Sequence, residues 1–331
     1  MTCSLQTVFA VLSLLGCDAK VSSAGADDSA GADADATCDS LTIDETLPLN
    51  GAADAYYRSA VEFQLSAPDP SATVSAAFPG ATSTRDDGAT IVYTPESPLA
   101  PDTEYVVGLD YCRGEAEISF RTSSYGEAVS EPLVGRTYVV DLVGGRFLQG
   151  GNLAGVIAAV FNRSLLLHIL AEDGDTLTVR AGISTAAGES MAQDTCFRTT
   201  DVEAVDFTTT PFFAIGVDRF GFEAFETQLD LINLTVEGTF ATDGEAVGGV
   251  RYGLAVSAAD VAGVLGLEGG VEEACGFAET LDESCGPCPD DSSAECLVII
   301  TDGIDAPEVG FPVVPVDDPE SDPDCQLDTG G

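Results

Sequence analysis

Between residues 38 and 124 apolar and polar positions alternate in short runs. Val61-Glu62-Phe63-Gln64-Leu65, Ile91-Val92-Tyr93, Tyr105 to Tyr111 and Ala116-Glu117-Ile118-Ser119-Phe120 all have a period of two. That period puts every second side chain on one face, as in a half-buried strand. Pro68-Asp69-Pro70 and Asp86-Asp87-Gly88 break the runs as turns. Short strands at this spacing predict a β-sandwich.

Residues 132–303 continue mostly as strands. They are expected at 136–142, 165–171, 176–183, 202–207, 212–217, 223–240 (with a break near Asn233), 247–256 and 297–301. The Asp173-Gly174 step marks a hairpin between the second and third of these. Two short helices interrupt them. One is capped by Asn152 and runs to Phe161; the other opens with Ser257-Ala258-Ala259-Asp260 and runs to Leu265. The fold class expected is therefore all-β dominated. A sandwich over 38–124 is followed by a mostly antiparallel β-rich domain with one or two short helices.

Leu99-Ala100-Pro101-Asp102-Thr103-Glu104-Tyr105 has the L-x-P-x-T-x-Y form of a tyrosine corner, in which the Tyr105 hydroxyl bonds a nearby backbone group. With Thr94-Pro95 before it and Phe120-Arg121-Thr122 after it, this stretch resembles the bacterial Ig-like domains of S-layer and other surface proteins. The resemblance covers about residues 45–123. It implies an Ig-like sandwich that serves as a spacer or weak binding unit and carries no active site.

The chain opens differently. Val8 to Leu15 is an apolar run of eight residues, far short of the roughly twenty that a membrane helix needs but suited to an export signal. Leu14-Leu15-Gly16-Cys17 resembles the lipobox of bacterial lipoproteins. The resemblance implies removal of residues 1–16, a lipid on Cys17 and attachment to the bacterial cell envelope, at the periplasmic side of the outer membrane or the cell surface. Residues 1–7 carry no Lys or Arg, and Ala24-Gly25-Ala26 offers a rival cleavage site about ten residues past the apolar run, too far for ordinary cleavage. Residues 17–37 then hold only one strongly apolar residue, Val21, after the anchor itself, the composition of a flexible acidic tether. Residues 304–331, acidic and proline-containing, read as an extended tail pinned at Cys325.

Fifty-six acids against twelve bases give a net charge of -44. Such a field repels polyanions and excludes nucleic acid as a partner. It leaves open weak binding of divalent cations, although no complete D-x-[DN]-x-[DN]-G loop is present.

Ten cysteines are encoded. Removing Cys3 with the signal and Cys17 with the lipid leaves Cys38, Cys112, Cys196, Cys275, Cys285, Cys288, Cys296 and Cys325. An even remainder in an exported chain implies disulfides. Cys38 and Cys112 flank the first domain and are expected to pair. Of the fifteen pairings open to the other six, Cys196 with Cys275 is preferred, the remaining four closing among themselves. Cys285-Gly286-Pro287-Cys288 also spells the CGPC of thiol-disulfide oxidoreductases, but here it lies in an acidic loop, which would raise a thiol pKa. A zinc site on Cys275, Cys285, Cys288 and Cys296 lacks the second CxxC usual in zinc ribbons.

His168, the single histidine, sits in the apolar run Leu165 to Leu170 and reads as a packed side chain. No G-x-S-x-G elbow accompanies it. Carboxylate pairs suited to a hydrolase are too abundant to choose among. The function expected is structural or ligand-binding rather than enzymatic, with an envelope protein or polysaccharide as candidate partner and no cofactor. A carboxylate hydrolase in the second domain is the alternative.

Overall fold

The computed structural model describes residues 38–160, 163–185, 191–224, 227–290, 294–319 and Cys325. The expected signal peptide, Cys17 and the tether lie outside these. The chain divides into residues 1–40, of which only 38–40 are described, and one compact unit, residues 41–331. Among the described residues no helix is long and apolar enough to cross a membrane.

Seven strands form the sandwich: β1 (Ile43–Leu47), β2 (Val61–Leu65), β3 (Thr73–Ala76), β4 (Gly80–Arg85), β5 (Thr90–Pro95), β6 (Glu104–Tyr111) and β7 (Gly114–Arg121). One sheet runs β1-β2-β5-β4 and the other β3-β6-β7, all antiparallel. Four strands over three in this order is the arrangement of the constant-type immunoglobulin sandwich. The alternation read from sequence sets the core. Val61, Phe63 and Leu65 turn in to meet Val107, Leu109, Ile118 and Phe120, while Gln64 turns out. At the start of β6 the Tyr105 hydroxyl accepts the Ala100 N–H at 2.8 Å, and its ring stacks on Phe120.

The strands from Thr137 to Val309 form a closed barrel. Its strands are β8 (Thr137–Val140), β10 (Leu165–Asp173), β11 (Thr176–Ile183), β12 (Thr200–Asp206), β13 (Phe212–Ala224), β14 (Thr227–Phe240), β15 (Ala246–Ser257) and β17 (Glu295–Val309). From β10 to β15 each strand pairs with the next. The ring closes because β17 is long enough to serve two neighbours. Its residues from Cys296 to Pro307 pair with β15, while Glu308 and Val309 pair with β8, which returns to β10. Two short strands, β9 (Arg146–Gln149) and β16 (Gly286–Pro287), lie against β17.

Three helices cover one end: α1 (Gly151–Val160), α2 (Ala258–Leu265) and α3 (Gly270–Glu279). Ser257 caps α2 by accepting the Ala259 N–H on its hydroxyl. Leu153, Val261 and Ala278, one from each helix, pack over Val256 and Leu297 of the barrel rim. At the opposite end Tyr138, Phe207 and Phe213 surround Phe240, with ring centroids 5.0–5.9 Å from it. The Tyr138 hydroxyl donates to the Gly244 carbonyl at 2.8 Å.

Several elements differ from the expectation. The run 223–240 is the end of one strand and the whole of the next, because Phe212–Ala224 and Thr227–Phe240 form a hairpin. Asn233 takes a left-handed φ of 49°, and the β14–β15 register shifts between Ile232 and Thr235. Leu231 and Leu234 therefore both reach the interior, which strict alternation forbids. The final strand continues to Val309 instead of ending near Thr301, since Ile304 and Ala306 are core residues of the barrel. α3 adds a helix beyond the two expected; Ala274 and Ala278 give it a buried face too small for a strong apolar stripe.

Residues 311–316 are also better packed than an extended tail. Val313 is buried on Val139 and Leu166, Val314 exchanges two hydrogen bonds with the Gln193 side chain, and Val316 pairs with Thr199.

The disulfides run Cys196–Cys325, Cys275–Cys285 and Cys288–Cys296, and Cys38 and Cys112 are each disulfide-bonded. The preferred Cys196–Cys275 pairing is thus overturned. Cys275 lies on α3, where the chain turns back within ten residues to Cys285. Cys196 sits in the loop before β12, where the docked tail brings Cys325 to it. Four disulfide-bonded cysteine pairs mark a chain that folds in an oxidising compartment.

Candidate functional site: a cavity inside the barrel

An eight-stranded barrel is just wide enough either to fill with side chains or to hold one small ligand. This one does both, at different heights. The half nearest Phe240 is filled by the four aromatic rings. The half beneath the helices is lined by smaller aliphatic groups and forms a cavity of about 430 Å³ that opens to solvent.

The walls come from inward positions of six strands: Leu165, Ile183, Leu231, Leu234, Val236, Leu254, Val256 and Ile299, with Phe220 and Tyr252 as the larger members. α2 adds Val261, Val264 and Leu265, and α1 adds Ala154. The packing shift at Asn233 matters here, because it supplies both Leu231 and Leu234. Burial pushes the Tyr252 hydroxyl above its ordinary pKa, so it is a neutral donor. It donates to the Leu142 carbonyl at 2.5 Å.

The rim carries the polar groups Asp141, Arg163, Ser164 and Asp305, beside the exposed Met191 and Val143. Arg163 is committed. It forms an ion pair with Asp194, donates to the Ser184 carbonyl at 3.2 Å and lies over the Phe197 ring. The Ser164 N–H is bound by the Ser184 hydroxyl at 2.9 Å.

A second, smaller cleft of about 230 Å³ lies where β2, β4 and β9 meet. It is polar, and its Glu62 is only 8% exposed. Glu62 accepts from Arg146 on both oxygens and also from Arg85. Asp86, in the same cleft, accepts the Thr90 hydroxyl. A carboxylate held by two guanidiniums has neither oxygen free for a substrate's proton, so Glu62 is a clamp between sandwich and barrel in form rather than the base of a hydrolytic dyad.

The residues singled out from sequence are dispersed. His168 faces outward on β10, buried under the tail. Its Nδ1 lies 2.8 Å from the Thr137 hydroxyl, which donates to the Phe311 carbonyl. Burial, reinforced by Arg180, lowers its pKa against the opposing bond to the Arg136 backbone. Cys285 and Cys288 of the CGPC run bond to different partners, so they do not form the vicinal couple on which oxidoreductase chemistry depends. The same bonds occupy every sulfur of the four-cysteine zinc reading. Among the described residues no group of three or more His, Cys, Asp or Glu is arranged to hold a metal ion. The cavity itself escaped sequence reading, because its wall residues have the same period and composition as packed core.

No protein-family model matches the chain, and no curated protein matches it. Among solved structures, an L,D-transpeptidase from Mycobacterium smegmatis is similar over 46% of this chain and 79% of its own, at 11% identity and a TM-score of 0.21.

Proposed function

We propose that this chain is an exported envelope protein that binds a small apolar molecule inside its barrel, non-enzymatically, and is held to the membrane by a lipid on Cys17. The cavity carries the binding reading. An apolar space of about 430 Å³ that opens at its rim leaves its wall residues without packing partners on one side. Water offers little relief, because an aliphatic wall gives it few partners. A barrel that retains such a space is adapted to fill it with a ligand, and the volume lies in the usual range for small-molecule sites.

The anchor rests on the lipobox resemblance and on the disulfides, which fit export. The sandwich, similar in motif to bacterial Ig-like surface domains, then serves as a spacer that carries the barrel away from the membrane. Two experiments test the two halves. Titration with N-phenyl-1-naphthylamine, a neutral probe that brightens in apolar surroundings, should saturate at one site per chain; absence of saturable binding would remove the ligand-binding reading. Cys17→Ser should abolish incorporation of labelled fatty acid and release the protein from membranes, whereas unchanged membrane association would remove the anchor.

A further inference from the structure

We infer that the barrel selects a single linear aliphatic chain whose head carries no negative charge. This inference rests on the ligand-binding reading above and adds the chemical class of the ligand. The space of about 430 Å³ is in the size range of a site for one small ligand such as a medium-length alkyl chain. The wall is branched aliphatic and offers two rings, Phe220 and Tyr252, for stacking. It therefore suits a flexible methylene chain, which packs along branched walls without needing ring partners.

The head group is decided by an inventory of donors. A carboxylate or phosphate brought into the cavity needs charged or multiple N–H and O–H partners to offset its lost hydration. Among the described residues of the lining Arg163 is the one cation, and its guanidinium already holds Asp194 and the Ser184 carbonyl. Tyr252 spends its proton on Leu142. The Ser164 N–H is likewise engaged, which leaves its hydroxyl as a neutral donor at the rim. The other charged lining groups, Asp141 and Asp305, are acids. They sit in the field of a chain with a net charge of -44, which lowers the local concentration of anions further. An alcohol or other uncharged head needs no cation and can share the Ser164 hydroxyl.

The chain contains no tryptophan, so Val264→Trp in the full-length protein places a single indole on the cavity wall. Dodecan-1-ol should shift that indole's emission to shorter wavelength at a concentration at least about tenfold below that required by dodecanoate at pH 7.5, given the missing donors. Isothermal titration of the unsubstituted chain with the same two compounds guards against a misfolded variant and should give the same ranking. Dodecanoate binding as tightly as the alcohol, or more tightly, would overturn the selectivity while leaving apolar ligand binding intact. Failure of both compounds to bind in both measurements would overturn the selectivity and the binding reading together.

Discussion

Arg146 on β9 grips Glu62 on β2 with both ends of its guanidinium, Nη1 to Oε2 at 2.6 Å and Nη2 to Oε1 at 3.1 Å. The same arginine also holds Asp302 of β17 at 2.9 Å. One side chain thus ties the sandwich to the barrel wall. Glu62→Gln removes the charge shared by Arg85 and Arg146 and leaves two guanidiniums facing each other. Breaking a fully buried pair costs about 3–5 kcal/mol. These arginines are 35% and 39% exposed, so a loss of about 2–3 kcal/mol in urea unfolding is expected. A double-mutant cycle with Arg146→Met should show coupling above about 1 kcal/mol; additive effects would mean the contact is ornamental.

The second tie is steric. Gly249 has a φ of +58°, and a Cβ there would lie 2.4 Å from the Tyr56 ring. Tyr56 passes over this glycine to place its hydroxyl 2.7 Å from that of Thr239. Gly249→Ala should cost about 2–4 kcal/mol, combining overpacking with the strain of positive φ. In a Tyr56→Ala background the same change should cost only about 1 kcal/mol, because the strain remains and the collision is gone. Equal costs in both backgrounds, measured by chemical unfolding, would mean the tyrosine does not rest on this glycine.

His168 provides a pH signature. Burial holds its folded-state pKa below the unfolded value, about 6.5. Above that value both states are neutral there, and its contribution to stability is complete. As the pH falls below 6.5 the unfolded chain takes the proton first, and stability is lost until the folded-state pKa is passed. His168→Gln keeps a polar side chain that does not titrate. Between pH 7.5 and 5 the melting temperature of the parent should fall relative to this variant; parallel profiles would contradict a buried neutral imidazole.

The cross-links should differ in weight. Cys196–Cys325 closes a loop of 129 residues and Cys275–Cys285 one of 10. Chain entropy assigns about 5 kcal/mol to the first and about 3 kcal/mol to the second. Replacing both cysteines by serine in each pair and comparing denaturant midpoints checks the order. Thiol labelling of the native protein should find neither Cys285 nor Cys288 free, and a rapidly labelled thiol at either would revive the CGPC chemistry.

Much of this architecture is legible in the sequence because its strands bury one face. Val61, Phe63 and Leu65 gave β2 away, Leu177, Val179 and Ala181 gave β11 away, and Ser257 marked the start of α2. The illegible parts share a cause: they depend on where residues meet across the fold. Leu231 and Leu234 break alternation because Asn233 shifts the strand. Ile304 and Ala306 look like tail until β15 is beside them. Cys196 and Cys325 are 129 residues apart, and nothing local announces their meeting. Inward aliphatic residues also look alike whether they close a core or line a space, so the cavity had no sequence signal of its own.

The most direct test of ligand binding fills the space. Val256 lines the cavity beneath α2 and is 4% exposed. Val256→Phe should occupy part of the void, leaving the melting temperature equal to the parent's or higher. The measurement is N-phenyl-1-naphthylamine titration of parent and variant side by side. A binding cavity predicts one saturable site in the parent and affinity at least about tenfold weaker in the equally stable variant. Unchanged probe affinity in the variant, or no saturable site in the parent, would contradict it.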